Sequence, residues 1–404
     1  MTAPRTTDFL VVGGGIVGLT LALELKRRHE DSAVTVLEKE SGCGLHASTR
    51  NSGVLHAGFY YSAESLKAQL TRDGNRRLAA YCTVRRLRLD RCGKLVVARN
   101  PADLPGLEEL LRRGRVNGVP LEVLSADDAR RVEPRAKTYE QALFSPCTAS
   151  VDPAEVIASL VADARAAGIT ILTGTAFRGR GRTRTAAITC AGTIEAGYVV
   201  NAAGLYADRI ARQYGFSERY RILPFRGRYL LASPGAPSVR THIYPVPTLE
   251  NPFLGVHLTR AVDGSVKIGP TATPALWREQ YAGWRNFKLR ECLSIAAQEA
   301  GLLLRDDFGF RRLALAEARH YGRRALVRRA ATLADGVDLD GFRRWGPPGI
   351  RAQLFDVRER RLEMDFRYEG DDRSFHVLNA VSPAFTCALS LADYLAERIT
   401  EWLR

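Results

Sequence analysis

The chain has 404 residues, too many for one compact core, so we expect two domains. It is 46% hydrophobic and 25% charged, which excludes a disordered or fibrous protein. The formal net charge of +15 comes from scattered basic residues without a known nucleic-acid-reading motif. We therefore expect no nucleic-acid partner, and a basic nucleic-acid-binding protein stays only as a remote alternative.

The location of the protein is predicted from its apolar segments. No apolar run reaches the roughly 18 residues that a membrane-spanning helix needs. The first apolar stretch, Phe9 to Val12, leads into a glycine turn and predicts a strand rather than a signal peptide. We expect a cytoplasmic protein, with peripheral membrane contact through Trp402 and Leu403 or the basic surface as an alternative. The seven cysteines lack C-x-x-C spacing, so we expect neither a disulfide framework nor a metal site.

The N-terminal segment has the pattern of a dinucleotide-binding unit. A predicted strand, Asp8–Val12, runs into Gly13–Gly18, which fits G-x-G-x-x-G and opens a predicted helix ending at Arg28. A second predicted strand, Val34–Leu37, ends at Glu38, about 20 residues past the last glycine. This order of strand, glycine turn, helix, strand and acid predicts a Rossmann-like α/β unit.

Three glycines of this motif have distinct physical roles. Gly13 permits the tight turn, Gly15 lets the backbone approach a pyrophosphate, and Gly18 lets helix and strand pack closely. The helix N-terminus offers N–H groups and partial positive charge to phosphates. Glu38 can accept hydrogen bonds from an adenosine ribose. Only one complete glycine motif is present, so we expect electrons to come from a bound substrate rather than from NAD(P)H.

A second crossover unit is predicted in the middle of the chain. Asp152 and Pro153 begin a helix that Gly168 ends, and a strand follows at 169–172. A hairpin is predicted around Ala191-Gly192. Its second strand runs into small residues through Gly204, which suits a close backbone approach to a cofactor.

The pattern changes after residue 220. Short strands at 227–232, 242–246, 253–259 and 265–268 predict an antiparallel sheet, and 284–334 is predicted to be mostly helical. Strands then follow from Gly349, and a C-terminal helix is predicted to begin at Ser382-Pro383. We therefore predict a discontinuous cofactor-binding domain, 1–85, 150–220 and 340–404, and a substrate-binding domain, 86–149 and 221–339.

The chain resembles the D-amino-acid-oxidase-like flavoproteins, and within them the FAD-dependent L-2-hydroxyglutarate dehydrogenase/oxidase group. The segments that carry the resemblance are 50–61, 65–68, 201–208, 224–227, 244–247, 254–259, 269–270, 349–353 and 379–384. It implies an α/β fold with a Rossmann-like FAD-binding domain and an antiparallel-sheet substrate domain. It also implies oxidation of a small anionic L-2-hydroxy acid to the 2-oxo acid, with hydride passing to flavin N5.

The resemblance and the glycine motif together give the expected FAD contacts. These come from the N-terminal unit, the loop before residue 54 and later small-residue turns: Gly13, Gly15, Ile16, Val17, Gly18, Glu38, Lys39, Ser48, Thr49, Arg50, Asn51, Ser52, Gly53, Phe177, Ala202, Ala203, Gly204, Gly349, Ile350, Ser382, Pro383 and Ala384. If the C-terminal helix points its N-terminus at the flavin, its dipole favours the reduced anion.

Proton transfer from a substrate hydroxyl needs a base, and histidine suits it because its pKa is near neutral. His56 and His257 are equally good candidates, while His242 and His376 are expected to pack in the core. A flavin contact or a structural role is the alternative for each candidate base.

The substrate carboxylate needs a cation. Arg351 is the best candidate because a guanidinium pairs with a carboxylate through two hydrogen bonds, although an ion pair with Asp365 is an alternative. The resemblance places Arg226 and Tyr244 in the substrate cavity. The electron acceptor is expected to be oxygen or a quinone-type carrier. An amine or amino acid oxidase of the same fold stays as the alternative function.

Overall fold

The computed structural model describes residues 6–236, 238–248, 255–311, 314–315 and 322–403. The chain divides into two compact units. Unit 1 comprises Met1–Asn51, Pro153–Pro224 and Arg351–Arg404, and unit 2 comprises Ser52–Asp152 and Phe225–Ile350.

Strands and helices alternate through much of the chain. In chain order the strands are β1 (Thr6–Val12), β2 (Val34–Leu37), β3 (Val54–Leu55), β4 (Leu89–Asp90), β5 (Lys94–Val97), β6 (Glu122–Ser125), β7 (Gln141–Ser145), β8 (Ala149–Val151), β9 (Thr170–Leu172), β10 (Phe177–Arg180), β11 (Ala186–Thr189), β12 (Gly192–Asn201), β13 (Tyr220–Gly227), β14 (Leu230–Leu231), β15 (His242–Pro245), β16 (His257–Arg260), β17 (Val266–Gly269), β18 (Thr273–Pro274), β19 (Arg344–Trp345), β20 (Gly349–Asp356), β21 (Arg361–Leu362), β22 (Arg367–Gly370) and β23 (Ser374–Asn379). The helices are α1 (Ile16–Arg28), α2 (Leu66–Val84), α3 (Leu104–Val116), α4 (Ala126–Val132), α5 (Pro153–Ala166), α6 (Ala207–Gln213), α7 (Leu289–Arg305), α8 (Arg323–Ala330) and α9 (Ala388–Trp402).

Unit 1 is built on a sheet with a parallel centre. Its order is β10-β11-β12-β1-β2-β9, and β12, β1, β2 and β9 run parallel. The outer edge of β12 is shared, because its first half pairs antiparallel with β11 and its end pairs parallel with β23. Strand β22 pairs antiparallel with β23. Parallel strands joined through α1 and α5 confirm the Rossmann-like prediction.

The predicted start of the C-terminal helix was wrong. Residues 382–387 form turns, and α9 begins at Ala388. The amide of Cys387 bonds to the carbonyl of Pro383, but the next amide, of Ala388, bonds to Phe385 three residues back. The i→i−4 ladder is therefore interrupted after one turn, and Pro383 does not occupy the first position of the helix.

Unit 2 contains a larger sheet with the order β19-β14-β17-β16-β15-β5-β7-β6. The pairs from β14 to β15 are antiparallel, as predicted for the 220–275 segment, whereas β15 and β5 pair in parallel. One face of this sheet carries Leu95, Ile243, Leu258 and Ile268 into an apolar core with α4 and α8. Side chains alternate between the two faces of a strand, so the residues between these four lie on the opposite face. A separate small sheet in the order β3-β8-β4 also belongs to unit 2.

The compact units differ from the predicted domains mainly in two stretches, because residues 52–85 and 340–350 belong to unit 2. Asn75 of α2 shows why: its side-chain amide donates to the carbonyls of Leu55, His56 and Cys147, all in unit 2. The chain passes between the units within β13 and β20. Residues 253–254 of a predicted strand and 312–313 and 316–321 of the predicted helical segment lie outside the described residues.

All seven cysteines lie within the described residues, and none of them forms a disulfide bond. Within the described part of the chain, no helix is both long and apolar enough to cross a membrane.

Candidate active site

The glycine turn of unit 1 is as tight as its sequence predicts. Gly13 has a φ of +118°, and a Cβ there would lie 2.5 Å from the carbonyl oxygen of Ala202. A Cβ at Gly18 would overlap the carbonyl oxygen of Gly13. Both positions therefore require glycine, one for its backbone conformation and close approach, the other for helix–strand packing.

The N-terminus of α1 forms an open cradle. A Cβ at Gly15 would meet only the Oγ of Ser48, at 3.2 Å. The amide of Ile16 donates to that same Oγ at 2.9 Å, and Val17 follows in the first turn. The Ser48 hydroxyl keeps its own proton to donate, and the helix dipole favours an anion. This set of donors beside a bare backbone fits the pyrophosphate of FAD.

Glu38 lies directly behind the turn. Its carboxylate oxygens accept from the amides of Gly14 and Glu40, each at 2.9 Å. Each oxygen retains a further lone pair, which suits a ribose hydroxyl. The ammonium of Lys39 pairs with Glu40 and lies 5.8 Å from the ring centroid of Tyr206.

The loop after Glu38 is braced by its own side chains. Thr49 donates through Oγ1 to the carbonyl of Gly44, Arg50 through Nε to Leu45, and Asn51 through Nδ2 to Ser48, each at 2.8 Å. These bonds fix the backbone that presents the Ser48 hydroxyl.

Ser52 and Gly53, which continue this loop, are the first residues of unit 2. The Oγ of Ser52 accepts from the amide of Val54 at 3.3 Å, and the carbonyl of Gly53 accepts from Val151.

The other predicted FAD contacts lie in several separate parts of the chain. Ala202, Ala203 and Gly204 follow β12, and the amide of Ala202 donates to the carbonyl of Val12, so they lie beside the glycine turn. Phe177 packs its ring 6.4 Å from that of Tyr214 in the unit 1 core. The remaining residues lie in the turn before α9 (Ser382, Pro383 and Ala384) and at the start of β20 in unit 2 (Gly349 and Ile350).

The second face of the unit 2 sheet carries a row of polar side chains, here called the polar row: Lys94, His242, Tyr244, His257, Thr259 and Lys267. The register places them together. Thr259 lies opposite Lys267, and His242 lies opposite Lys94. Ile243 lies opposite Leu258 on the other face, so the residues on either side of these two share the face of the polar row. Residues directly opposite each other point to the same face.

The two ring nitrogens of His257 differ in their hydrogen bonding. Its Nδ1 lies 3.0 Å from the carbonyl oxygen of Gly255 and therefore carries the proton. Its Nε2 is buried, and no group among the described residues hydrogen-bonds to it. Burial holds the pKa of His257 well below its usual value, and electrostatic interactions with Lys94, His242 and His56 lower it further. The ring is thus a neutral base with an available lone pair.

Tyr244 connects two members of the polar row. Its ring meets the ring of His257 edge to face with centroids 3.8 Å apart. The Nζ of Lys94 lies 4.3 Å from the Tyr244 centroid. Burial raises the pKa of Tyr244 well above its usual value, so the phenol stays neutral.

Three other histidines are also buried. His56 is buried and lies in the electrostatic neighbourhood of His257. His242 accepts from the amide of Arg260 at 3.2 Å, and burial lowers its pKa to about 3. His376 bonds to Asn201 and Ser374, and burial lowers its pKa to about 3. His242, in the polar row of unit 2, and His376, in β23 of unit 1, are both fully buried and held in their neutral form.

The predicted cations lie in different units. Arg226 is half-buried in unit 2, where its carbonyl accepts from Oγ1 of Thr273. Arg351 is half-buried in β20 at the start of the last segment of unit 1. The role of each as a carboxylate clamp stays a prediction.

Sequence reasoning missed Lys94 and Lys267. A signal was present, because only seven of the 59 basic residues are lysines. Most basic residues are arginines, and two of the few lysines lie within the strands β5 and β17, each among apolar residues. Lysine can be neutralised by burial and arginine cannot, so these lysines mark unusual positions.

Comparison with known proteins identifies the family. The model of the FAD dependent oxidoreductase (DAO) family matches residues 8–398. The chain is 35% identical over 416 residues to the human mitochondrial L-2-hydroxyglutarate dehydrogenase, covering 98% of this chain and 89% of the relative. It is 33% identical over 402 residues to L-2-hydroxyglutarate dehydrogenase of Escherichia coli (strain K12), covering 97% and 93%.

Solved structures share the fold. L-alpha-glycerophosphate oxidase from Mycoplasma pneumoniae with FAD bound matches with a TM-score of 0.78 at 21% identity, covering 99% of this chain and 96% of that one. Glycine oxidase from Geobacillus kaustophilus matches with a TM-score of 0.74 at 21% identity, covering 98% and 95%. With the pyrophosphate cradle and the family match together, the chain belongs to the FAD dependent oxidoreductase (DAO) family, and FAD is its cofactor.

Proposed function

We propose that this flavoenzyme oxidises L-2-hydroxyglutarate to 2-oxoglutarate. The likeness to L-2-hydroxyglutarate dehydrogenases over nearly the whole chain supports the substrate. The observation that carries the chemistry is the open Nε2 of His257 within a buried row that contains two lysines and no acidic side chain. The substrate loses a hydride from C2 and a proton from its hydroxyl. FAD, when bound, supplies the acceptor for that hydride and its electron pair.

His257 is the proposed proton acceptor. Its Nδ1–H is committed to Gly255, so a proton taken from the substrate goes to Nε2. Burial without an acidic partner keeps the imidazole neutral before the reaction, as a base must be. His56, buried in the same neighbourhood, is the alternative base.

Cationic side chains account for an anionic substrate. Burial lowers the pKa of Lys267 to about 8, so this lysine is mostly charged at neutral pH. Arg226 and Arg351 add guanidinium groups that are suited to pairing with carboxylates. A dicarboxylate gives such cations two partners, whereas glycine or lactate gives only one.

The FAD-binding residues are proposed on the cradle geometry. The amides at the start of α1 and the Ser48 hydroxyl hold the pyrophosphate, and Glu38 holds the ribose. Gly13 and Gly18 keep the turn tight enough for that approach.

The test is anaerobic reduction of the purified yellow protein by a substrate panel. L-2-hydroxyglutarate should bleach the flavin, while D-2-hydroxyglutarate, the matched stereochemical control, should not. L-Lactate tests the second carboxylate. Fast bleaching by L-glutamate or glycine without bleaching by L-2-hydroxyglutarate would overturn the proposal in favour of an amine or amino acid oxidase.

We propose oxygen or a quinone-type carrier as the electron acceptor. Stopped-flow reoxidation of the substrate-reduced enzyme by air-saturated buffer and by a short-chain quinone would decide between them. The faster acceptor at physiological concentration is the one used, and failure of both would contradict the proposal.

Peripheral contact with an anionic membrane surface is the further proposal for this protein. Helix α7 has mixed polarity on both sides: it buries Glu291 and Glu299 together with Ile295 and Leu302, while Leu289, Leu293 and Leu304 are exposed. Exposed Trp284 precedes it, and Arg290 is exposed on it. An apolar stripe with an aromatic residue and exposed cations suits an anionic lipid surface.

The C-terminal helix has a different surface. Trp402 packs its ring 5.2 Å from that of Phe375, whereas Leu403 is exposed. Co-sedimentation with vesicles of phosphatidylcholine, with and without phosphatidylglycerol, tests the proposal. Binding should need the anionic lipid and should fall in Leu293→Ser but not in the control Leu403→Ser. Absence of binding, or equal loss in both variants, would contradict contact through α7.

A further inference from the structure

Lys94 is a fully buried lysine without an acidic partner. Its relative exposure is 0%, and no group among the described residues hydrogen-bonds to its Nζ. Three rings surround this nitrogen instead, with centroids at 4.3 Å (Tyr244), 5.0 Å (Tyr60) and 5.6 Å (Phe59). Aromatic faces attract a cation, so the cage can receive a charge that burial otherwise opposes.

The cage is in direct contact with the proposed base. Tyr244 presents its ring to Lys94 and, 3.8 Å between centroids, to the ring of His257. Lys94 and His257 belong to the same polar row, one on β5 and one on β16. A positive charge on Lys94 therefore acts on His257 in a buried environment, where electrostatic interactions are stronger than in water.

The titratable groups around these two residues do not supply a negative charge at neutral pH. They are Cys92, Tyr60, Tyr229, Tyr244, His56 and His242, together with Lys267 and Arg260, two further cations that act on His242. Burial raises the pKa of Cys92 to about 11 and raises those of Tyr60 and Tyr244 further. The pKa of His242 falls to about 3.

The order of protonation follows from these environments. Burial lowers the pKa of Lys94 to about 7, and that of His257 lies well below the usual histidine value. When the pH falls, Lys94 gains its proton first. The resulting charge then opposes a proton on His257.

We propose that Lys94 is a positioning residue that takes up a proton in place of His257 and so keeps the Nε2 lone pair of His257 open. The catalytic meaning of this device rests on the proposed function, in which His257 is the base, whereas the order of protonation does not. Lysine is suited to this role because it can lose its proton at higher pH, which arginine cannot do.

The first experiment measures protonation without substrate. In FAD-loaded protein with ¹³C-labelled histidine rings, the His257 signal is assigned by its loss in His257→Asn and titrated by NMR. In Lys94→Met the His257 midpoint should rise by on the order of one pH unit. Lys137→Met, which removes a half-exposed lysine paired with Asp335, should leave it unchanged.

A second variant guards against loss of folding. Lys94→Gln also removes the charge and keeps a polar end, so it should shift the midpoint in the same direction. An unchanged His257 midpoint in whichever variant folds would overturn the proposal.

The second experiment tests whether the protonation of Lys94 affects the rate of flavin reduction. The acid limb of the pH profile for anaerobic flavin reduction should move to higher pH in Lys94→Met and stay in place in Lys137→Met. If the NMR midpoint moves but the acid limb does not, the Lys94 proposal stands and His257 is not the base. If L-2-hydroxyglutarate fails to reduce the wild-type flavin, the proposed function fails while the NMR experiment still decides the role of Lys94.

Discussion

The Nδ1 of His257 lies 3.0 Å from the carbonyl oxygen of Gly255, and this contact fixes the tautomer of the ring. A neutral histidine has one donor and one acceptor nitrogen, so the bond to Gly255 assigns the acceptor role to Nε2. The chemistry of the polar row depends on this assignment.

Replacing His257 with Asn should slow anaerobic flavin reduction by about 10²- to 10⁴-fold, because the variant lacks the base but leaves the cradle intact. The FAD absorbance spectrum and cofactor content should stay normal. His29→Gln, a histidine change in unit 1 beside Phe9, is the control and should keep the parent rate. If His56→Asn loses the rate and His257→Asn does not, the base is His56.

Replacing Gly18 with Ala should abolish FAD retention, because the added methyl group would overlap the carbonyl of Gly13. The matched control is Gly322→Ala, since that glycine has an ordinary negative φ and a Cβ there would meet nothing within 4 Å. FAD content after gel filtration measures the difference. A Gly18→Ala protein that retains full FAD would contradict the placement of the cofactor.

Lys94→Met should make stability less dependent on pH. The folded-state pKa of Lys94 is about 7, against 10.5 for an ordinary lysine, so the unfolded chain binds the extra proton between these values. The cost of burying this lysine is therefore greatest below pH 7 and disappears as the pH rises towards 10.5. At pH 7 the variant should gain about 2–4 kcal/mol in the free energy of unfolding, after allowance for the lost cation–π contacts.

Urea unfolding at pH 7 and pH 10 measures that difference, and Lys137→Met is again the control. A gain of equal size at both pH values would show that packing, not charge, explains it.

Burial of Glu299 should destabilise the protein at high pH, whereas burial of Lys94 should destabilise it at low pH. It is buried on α7, and burial raises its pKa to about 7 from the ordinary 4.5. Its stabilising contribution as a neutral acid is present below pH 4.5 and is lost as the pH rises through 7. Glu299→Gln should therefore add about 2 kcal/mol at pH 8 and much less at pH 5.

Thermal unfolding at the two pH values checks the Glu299 prediction, and exposed Glu108→Gln on α3 should change neither. A melting temperature that is shifted equally at both pH values would contradict ionisation of Glu299 as the cause.

The parts of the fold that follow from local pattern were predictable. The glycine turn, α1, Glu38 and the alternating strands of 242–268 each carry their signal within a few residues. The start of α9 was not, because Pro383 suits both a turn and the first turn of a helix. The compact units place residues 52–85 elsewhere than the predicted domains do, since the hydrogen bonds of Asn75 join carbonyls far apart in the chain.

The site was predictable only in part. His257 was named because histidine suits proton transfer, and Tyr244 was named from the resemblance. Lys94 was missed because its cage combines Phe59 and Tyr60 with Tyr244 from a distant segment. Burial of a charged residue is a property of the assembled sheet, and a single sequence does not contain it.

The two-sided sheet of unit 2 has a consequence for how such enzymes diversify. Leu258 and Ile268 secure the packing, while the side chains directly beside them along each strand face the other way. Selection can therefore exchange alternate positions to suit a new metabolite without disturbing the scaffold. A single-residue deletion within β16 would instead exchange the two sets and remove chemistry and stability together.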